Sequence, residues 1–427
     1  MATSPHHHRC VARVLLLLPS ATYRAADFLD AARALGVEVV VGTDEPHALK
    51  AAMGTRSLEV PLGDPAEAAR LIAAHDAVAP LDAVVAVDDA GTVVAAAAGE
   101  LLGLRHNPPE AVAAARDKLA MRTRLAAAEV PQPAFAPLPA DAGPEEVAAV
   151  ARRVGLPCVI KPTTLSGSQG VLRADTTVEA VAVAARVRRI ATAAGVATAT
   201  PLLVERFVPG AEVAVEGLLV AGELRPLAVF DKPDPLDGPA FEETIYVTPS
   251  RLAPLDAAAV LAAAAGATAA LGLRDGPVHA EVRVSGGRAS VIEVAARTIG
   301  GLCSRALSFS TGRSLEALVI AHALDMPLGA TAAVGASGVL MVPIPRAGVF
   351  VGVDGGVEAL AVPGVTDVQF TVAPGRRVAP VPEGNRYLGF VFARDRTPER
   401  VERALRRARA VLDVDIDPDA GAGPPAC

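Results

Sequence analysis

At the start of the chain the apolar positions gather into short, almost unbroken runs instead of alternating with polar ones. RVLLLL (residues 13–18), VEVVVG (37–42) and DAVVAVDD (82–89) are rich in leucine and valine. Stretches between them, such as AADFLDAARALG (25–36), carry their apolar residues at helical spacing. Strands without a polar face, alternating with helices, predict a parallel sheet covered on both sides. No G-x-G-x-x-G follows the first run, so the pattern gives no dinucleotide site.

The pattern changes near residue 107. Asn107, Pro108 and Pro109 read as an N-cap and a proline-started helix that stops before Pro131. Strand-like segments follow: PCVIKPTT (157–164), PLLVERFV (201–208) and AEVAVEGLLVAGEL (211–224). The loop LSGSQG (165–170) and an alanine-rich helix lie between the first two. Beyond residue 330 the chain is rich in Val, Gly and Pro. GVLMVPIPRAGVFVGVDG and VAPGRRVAPVPEGNRYLGFVFARD read as hairpins ahead of the helix PERVERALRRARAVLD. The expected fold class is mixed: α/β over residues 1–106, α+β over 107–330 and β-rich over 331–427.

Composition narrows the function classes. With 427 residues, 52% hydrophobic and 20% charged, the chain can bury a sizeable core, and its length suggests about two to four domains. The net charge of -7, with both signs interspersed, leaves no basic stripe for a phosphate backbone and argues against nucleic acid as a partner. Cys10, Cys158, Cys303 and Cys427 are scattered, without metal-ligand or disulfide-framework spacing, which fits a reducing cytoplasm. His6, His7 and His8 read as an incidental tract. The apolar run at 14–18 meets Pro19 too early for a secretion signal and reads as a buried strand. AAAVLAAAAGATAALGL (257–273) is mostly alanine and contains Gly266 and Gly272. It reads as a packed helix of a soluble domain and not as a membrane span.

HAEVRVSGGRASVIEVAARTIGG (279–301) puts one glutamate in each of two apolar-alternating runs around a Ser-Gly-Gly turn. With Ser285, Gly286 and Gly287 as a three-residue loop, Glu281 faces Val291 and Glu293 faces His279. The two glutamates are then diagonal neighbours on one face. A two-residue loop would send them to opposite faces. Neighbouring carboxylates repel unless a cation lies between them, and oxygen ligands with room for phosphate suit magnesium. The plainer alternative is a solvated hairpin face on which Arg283 or Arg297 neutralises the acids.

Lys161 ends the apolar strand CVIK and precedes Ser166, Gly167, Ser168, Gln169 and Gly170. Backbone N–H groups of such a loop can approach phosphate oxygens without obstruction, although most such loops are ordinary turns. Lys118, in ARDKLAMR, is a second cation or a solvated one. LVERFVPGAEVAVEG presents Glu205 at a strand end and Glu212 after the Pro209-Gly210 turn. That arrangement can offer hydrogen bonds to an adenine and a carboxylate to ribose, or it is an edge hairpin with solvated acids.

In this order and spacing, Lys118, Lys161 with its loop, VERFVPGAE and HAEVRV…VIEVAARTIGG resemble the ATP-grasp superfamily over residues 107–330. PVHAEVR and IEVAARTIGG are most similar to the dipeptide-forming L-amino-acid ligases and related carboxylate-amine ligases. The resemblance implies a pre-ATP-grasp domain over 1–106 and an ATP-grasp fold of two α+β subdomains over 107–330, its lid near 150–210. A small closing domain would follow over 331–427. It also implies ATP, one or two Mg2+ with Mn2+ as a substitute, and a small-molecule carboxylate and amine, amino acids among them.

Site roles follow from the resemblance. Lys118 and Lys161 would bind phosphates, beneath a lid made by Ser166, Gly167, Ser168, Gln169 and Gly170. Glu205, with the backbone at Arg206 and Val208, would hold adenine, and Glu212 ribose. Glu281 and Glu293 would ligate magnesium, and Arg297 would act with Lys161 at the transferred phosphate and acyl group. Lys232, Glu243, Tyr246, His279, Gly300 and Gly301 would border the substrates, His279 either touching substrate or orienting Glu293. Many members read Glu-x-Asn-x-Arg where this chain has Glu293, Val294, Ala295, Ala296 and Arg297. Ala295 cannot ligate, which puts the second metal in doubt.

The implied reaction activates a carboxylate as an acyl phosphate, which an amine then attacks, releasing ADP and phosphate. One rival is a biotin carboxylase-like enzyme activating bicarbonate, for which the chain has no Met-Lys-Met carrier segment. Another is a non-catalytic ATP-binding regulator, against which both lysines, both glutamates and Arg297 argue. A cytoplasmic protein, without membrane contact and with a homodimer left open, completes the expectation.

Overall fold

The computed structural model describes residues 11–20, 22–45, 53–307, 309–310, 312–332 and 334–418. Cys10, Cys427, His6, His7 and His8 lie outside them. Four strands, β1 (Arg13–Leu17), β2 (Glu38–Thr43), β3 (Ser57–Glu59) and β4 (Ala83–Ala86), pair in parallel in the order β3-β2-β1-β4. Val14 and Leu16 of β1 enter one core and Leu15 and Leu17 another, so the strand has no use for a polar face. Each such side chain, fully buried, contributes about 1.5–3 kcal/mol. In open parallel sheets ligands gather beyond the carboxyl ends of the strands, and β4 ends just before Asp88 and Asp89.

A second, antiparallel sheet holds β5 (Phe135–Leu138), β6 (Cys158–Pro162), β7 (Leu172–Ala174) and β8 (Leu202–Arg206) in the order β5-β8-β6-β7. The helices Pro144–Val154 and Thr177–Ala193 cover one of its faces, meeting Cys158, Ile160, Leu172 and Val204.

The largest sheet contains β9 (Ala211–Val220), β10 (Glu223–Asp231), β11 (Ile245–Thr248), β12 (Gly276–Ser285), β13 (Arg288–Ala295), β14 (Ala336–Val342), β16 (Val365–Phe370) and β18 (Gly389–Asp395). Its order is β13-β12-β9-β10-β11-β14-β18-β16, so strands beyond residue 330 extend the sheet that carries the glutamate hairpin. A small sheet of β15 (Gly348–Asp354), β17 (Arg377–Val378) and β19 (Asp413–Asp417) completes the C-terminal part.

The alanine-rich helix Pro254–Leu271 packs on β12 and β13, burying Val260, Ala263, Ala264, Ala267 and Leu271. It is the one helix among the described residues long and apolar enough to cross a membrane by length and composition, and 33% of it is buried. Asn107 does not cap a helix. Its side chain ties instead to the backbone of Arg274 and Asp275, and Pro108 stands at the N-cap without a side-chain bond. The helix expected there is two, Pro109–Arg116 and Lys118–Ala127. Asp117, in extended conformation, breaks the helix, and its carboxylate accepts from the N–H groups of Leu119 and Ala120 to start the second one. Lys118 is thereby the first residue of a helix, with its N–H on the carbonyl of Thr163.

Candidate active site

Strand alternation turns the charged residues toward one cleft. On β6 and β8, Cys158, Ile160, Leu202 and Val204 face the helices, so Lys161 and Glu205 take the opposite face. Nζ of Lys161 lies 2.8 Å from Oε2 of Glu205, and Nε of Arg122 donates to Oε1 at 2.6 Å; all three residues are buried. Burial pushes the Glu205 carboxyl up, but Arg122 and Lys161 outweigh it and hold it at about 2. One carboxylate does not offset two buried cations. Burial pulls the Lys161 ammonium below its ordinary value, and Arg122 and Lys118 add to that pull against Glu205. Nζ of Lys118 donates to the carbonyl of Leu165 at 2.6 Å and lies 3.3 Å from Oε1 of Glu293. Surplus positive charge there favours an anion.

Both oxygens of Glu205 are therefore committed inside the protein, where the resemblance put adenine. The wall beside it is formed by Arg206, Phe207 and Val208, with Phe241, Val159 and Ile292 lining the same cleft. The rings of Phe207 and Phe241 lie 6.4 Å apart, and Arg283 stacks over Phe207 at 4.9 Å. Nothing in the spacing of these two aromatics singled them out. Glu212 lines the cleft too, its carboxylate accepting from Lys232 and Arg283 at 2.8 Å each.

The glutamate hairpin reaches the expected outcome by another route. Gly286 and Gly287, at φ 56° and 77°, close it as a two-residue turn with Ser285 facing Arg288, a correction to the three-residue loop. Positive φ at both positions suits glycine and matches the strand twist. An unbroken ladder from this turn would pair Glu281 with Ile292 and throw Glu293 to the other face. A β-bulge between Glu281 and Val282 absorbs the extra residue of β13, and Glu281 faces Glu293 directly. Nη1 of Arg122 donates to the carbonyl of Val291 at 3.0 Å and Nη2 to that of Ile292 at 2.6 Å, satisfying backbone that the ladder leaves unpaired.

His279 consequently faces Ala295 and not Glu293. Its Nδ1 is 2.5 Å from Oε1 of Glu216, a fully buried glutamate on β9, and its Nε2 is 3.4 Å from Oε1 of Glu281. Burial lowers the imidazole, but the two carboxylates raise it to about 9. It orients Glu281, not Glu293. Two carboxylates face to face in the cleft form a hard oxygen donor set that fits a magnesium ion.

Behind Glu281 lies a second group. Nζ of Lys232 is 2.8 Å from Glu212, 3.2 Å from Glu281 and hydrogen-bonded to Glu243. Burial would lower the ammonium, yet these carboxylates hold it well above its ordinary value. Burial pushes the Glu243 carboxyl up and raises Tyr246 as well. Glu243, Tyr246, Gly300 and Gly301 line the cleft; Lys232 sits behind them.

Ser166, Gly167 and Ser168 line the cleft, whereas Gln169 and Gly170 turn away from it. The side chain of Gln169 donates to the carbonyl of Glu383, and the N–H of Gly170 to that of Pro382, both at 2.9 Å. Gly167 and Gly170 have φ of 63° and 71°, and a Cβ at Gly170 would lie 2.9 Å from Pro162. The segment that pins the loop also brings Asn385 and Tyr387 to the cleft.

Arg297 is gripped from the N-terminal sheet. Its Nε lies 3.0 Å from Oδ1 of Asp89, and Nη2 donates to Oδ2 at 3.1 Å. Burial alone would lower the guanidinium, but Asp89 raises it. Asp88, Asp89 and Tyr23 line the cleft and went unnoticed in the sequence, although DAVVAVDD ends on the two aspartates at the carboxyl end of a parallel strand.

Comparison with known proteins agrees with this geometry. Residues 154–306 match the ATP-grasp domain, 29–106 the ATP-grasp N-terminal domain and 340–417 the L-amino acid ligase C-terminal domain 2. The alanine–anticapsin ligase of Bacillus subtilis is 30% identical over 225 residues, covering 48% of this chain and 46% of the relative. The chain thus spans about half the length of that curated relative. The crystal structure of an L-amino acid ligase from Bacillus licheniformis superposes with a TM-score of 0.77 at 24% identity, covering 95% of this chain and 99% of the other. N5-carboxyaminoimidazole ribonucleotide synthetase from Thermotoga maritima gives 0.69 at 17% identity, covering 95% and 100%. With three matched segments in one order and a cleft of this composition, the chain belongs to the ATP-grasp family.

Proposed function

We propose that this chain is an ATP-dependent carboxylate-amine ligase that joins two small molecules, an amino acid among them, through an acyl phosphate. The observation that carries the reading is the face-to-face pair Glu281 and Glu293 in one cleft with Lys118, Lys161 and Arg297. The match of residues 340–417 to the L-amino acid ligase C-terminal domain 2 supports the choice of substrates.

A free carboxylate is a poor acyl donor because oxide would have to leave. In the first step a carboxylate oxygen attacks the γ-phosphorus of ATP, the bond to the β-phosphate oxygen breaks, and ADP departs. In the second the amine nitrogen attacks the acyl carbon and the C–O bond to phosphate breaks. The nitrogen loses a proton, leaving an amide and inorganic phosphate. Phosphoryl transfer asks mainly for positioning and charge neutralisation. Lys118 and Lys161 would meet the triphosphate, and Arg297, fixed by Asp89, the transferring phosphoryl group. Glu281 and Glu293 would hold magnesium, which when bound neutralises charge on the phosphate oxygens. The loop at 166–168, pinned through Gln169 and Gly170, would keep water from the acyl phosphate.

ADP release measured across pairs of L-amino acids, with mass spectrometry of the products, tests the reading. ADP is expected only when a carboxylate and an amine are both present, with a product lighter than their sum by one water. ADP release that depends on bicarbonate instead, or none with any pair, counts against it.

A further inference from the structure

The donor set on the hairpin is small. His279, Glu281, Glu293 and Ala295 share one face of β12 and β13; His279 is taken by Glu216, and Ala295 has no ligand atom. Two carboxylates remain for a metal. Beside them, the one set of three acids among the described residues whose oxygens converge within 4.8 Å of one another is Glu212, Glu243 and Glu281.

That group already has a cation at its centre. Nζ of Lys232 reaches all three carboxylates, and an ammonium has three N–H donors to give them. The side chain is 3% exposed, and its charge lies 5.3 Å from the centre of the Tyr246 ring. A divalent ion entering the group would have to displace a buried ammonium from its charge-assisted hydrogen bonds.

We infer that Lys232 is a built-in cation standing in place of a second metal ion, so that the nucleotide-loaded protein holds one divalent ion, between Glu281 and Glu293. The inference rests on the nucleotide and metal reading above. A covalently attached charge does not dissociate between turnovers. It also ties Glu281 to Glu212 and to Glu243, so that the three carboxylates keep one arrangement.

Native mass spectrometry of the full chain with Mn2+ and the non-hydrolysable analogue adenylyl imidodiphosphate counts nucleotide and metal separately. The wild-type chain is expected to carry one nucleotide and one Mn2+. Lys232→Met, which empties the centre of the three carboxylates, is expected to carry two Mn2+. Two Mn2+ on the wild type, or one on a folded Lys232→Met variant, overturns the inference, and the wild-type count decides alone if that variant does not fold. Nucleotide bound without Mn2+ overturns the metal assignment, and absence of nucleotide overturns the reading beneath it; each has its own mass.

Discussion

Arg122 donates to the carbonyl of Ile292 at 2.6 Å, and that residue is the extra one whose insertion into β13 sets Glu293 opposite Glu281. The same guanidinium holds Glu205 and the carbonyl of Val291. One buried side chain thus links Lys161, through Glu205, to the register of Glu281 and Glu293. A fork is needed for this, because a single ammonium cannot serve two carbonyls and a carboxylate in those directions. Arg122→Lys is therefore expected to keep the charge but loosen the bulge, lowering Mn2+ affinity by roughly tenfold or more, as loss of outer-shell support does. Mn2+ titration followed by electron paramagnetic resonance reads this; unchanged affinity in a folded variant would remove Arg122 from the account.

Glu205 should leave a signature in acid. Its folded value of about 2 lies below the ordinary 4.5, so its ionic contribution is present above pH 4.5 and fades as pH falls from there toward 2. The shift corresponds to roughly 3 kcal/mol at neutral pH. In urea unfolding, Glu205→Gln is expected to be less stable than wild type at pH 7 by about that amount, with the gap narrowing below pH 4.5. A gap constant from pH 7 to pH 3 would show that the ion pairs are not its source.

Asp89, just past the carboxyl end of β4 in the N-terminal sheet, touches Arg297 and would orient its guanidinium. Asp89→Asn keeps the shape and removes the charge that fixes the guanidinium. Its kcat for ADP release is expected to fall by roughly 10- to 100-fold while KM for ATP moves little, the pattern of a contact needed mainly in the transition state. A rise in KM with kcat intact would assign Asp89 to ground-state binding.

The strands and several charged residues of the cleft were legible because their signals are local: unbroken apolar runs for β1, β2 and β4, and a lysine before a Ser-Gly loop for β6. Glu281 and Glu293 were placed on one face correctly and for the wrong reason. The bulge that decides their register is hydrogen-bonded by Arg122, 170 residues away along the chain, and no local pattern carries that. Glu205, Glu212 and Lys232 were each visible as charges, but their pairing with one another is made by strands that meet only in the folded sheets. Glu216 was hidden by its apolar surroundings on β9 and becomes legible only once β12 sets His279 beside it.

The central claim is that a carboxylate is activated as an acyl phosphate before the amine attacks. With the carboxylate substrate labelled by 18O in both oxygens, that route transfers one labelled oxygen to the phosphate released alongside ADP. Mass spectrometry of the phosphate from a productive amino-acid pair is therefore expected to show one 18O per amide formed. Amide formation with unlabelled phosphate would contradict the account.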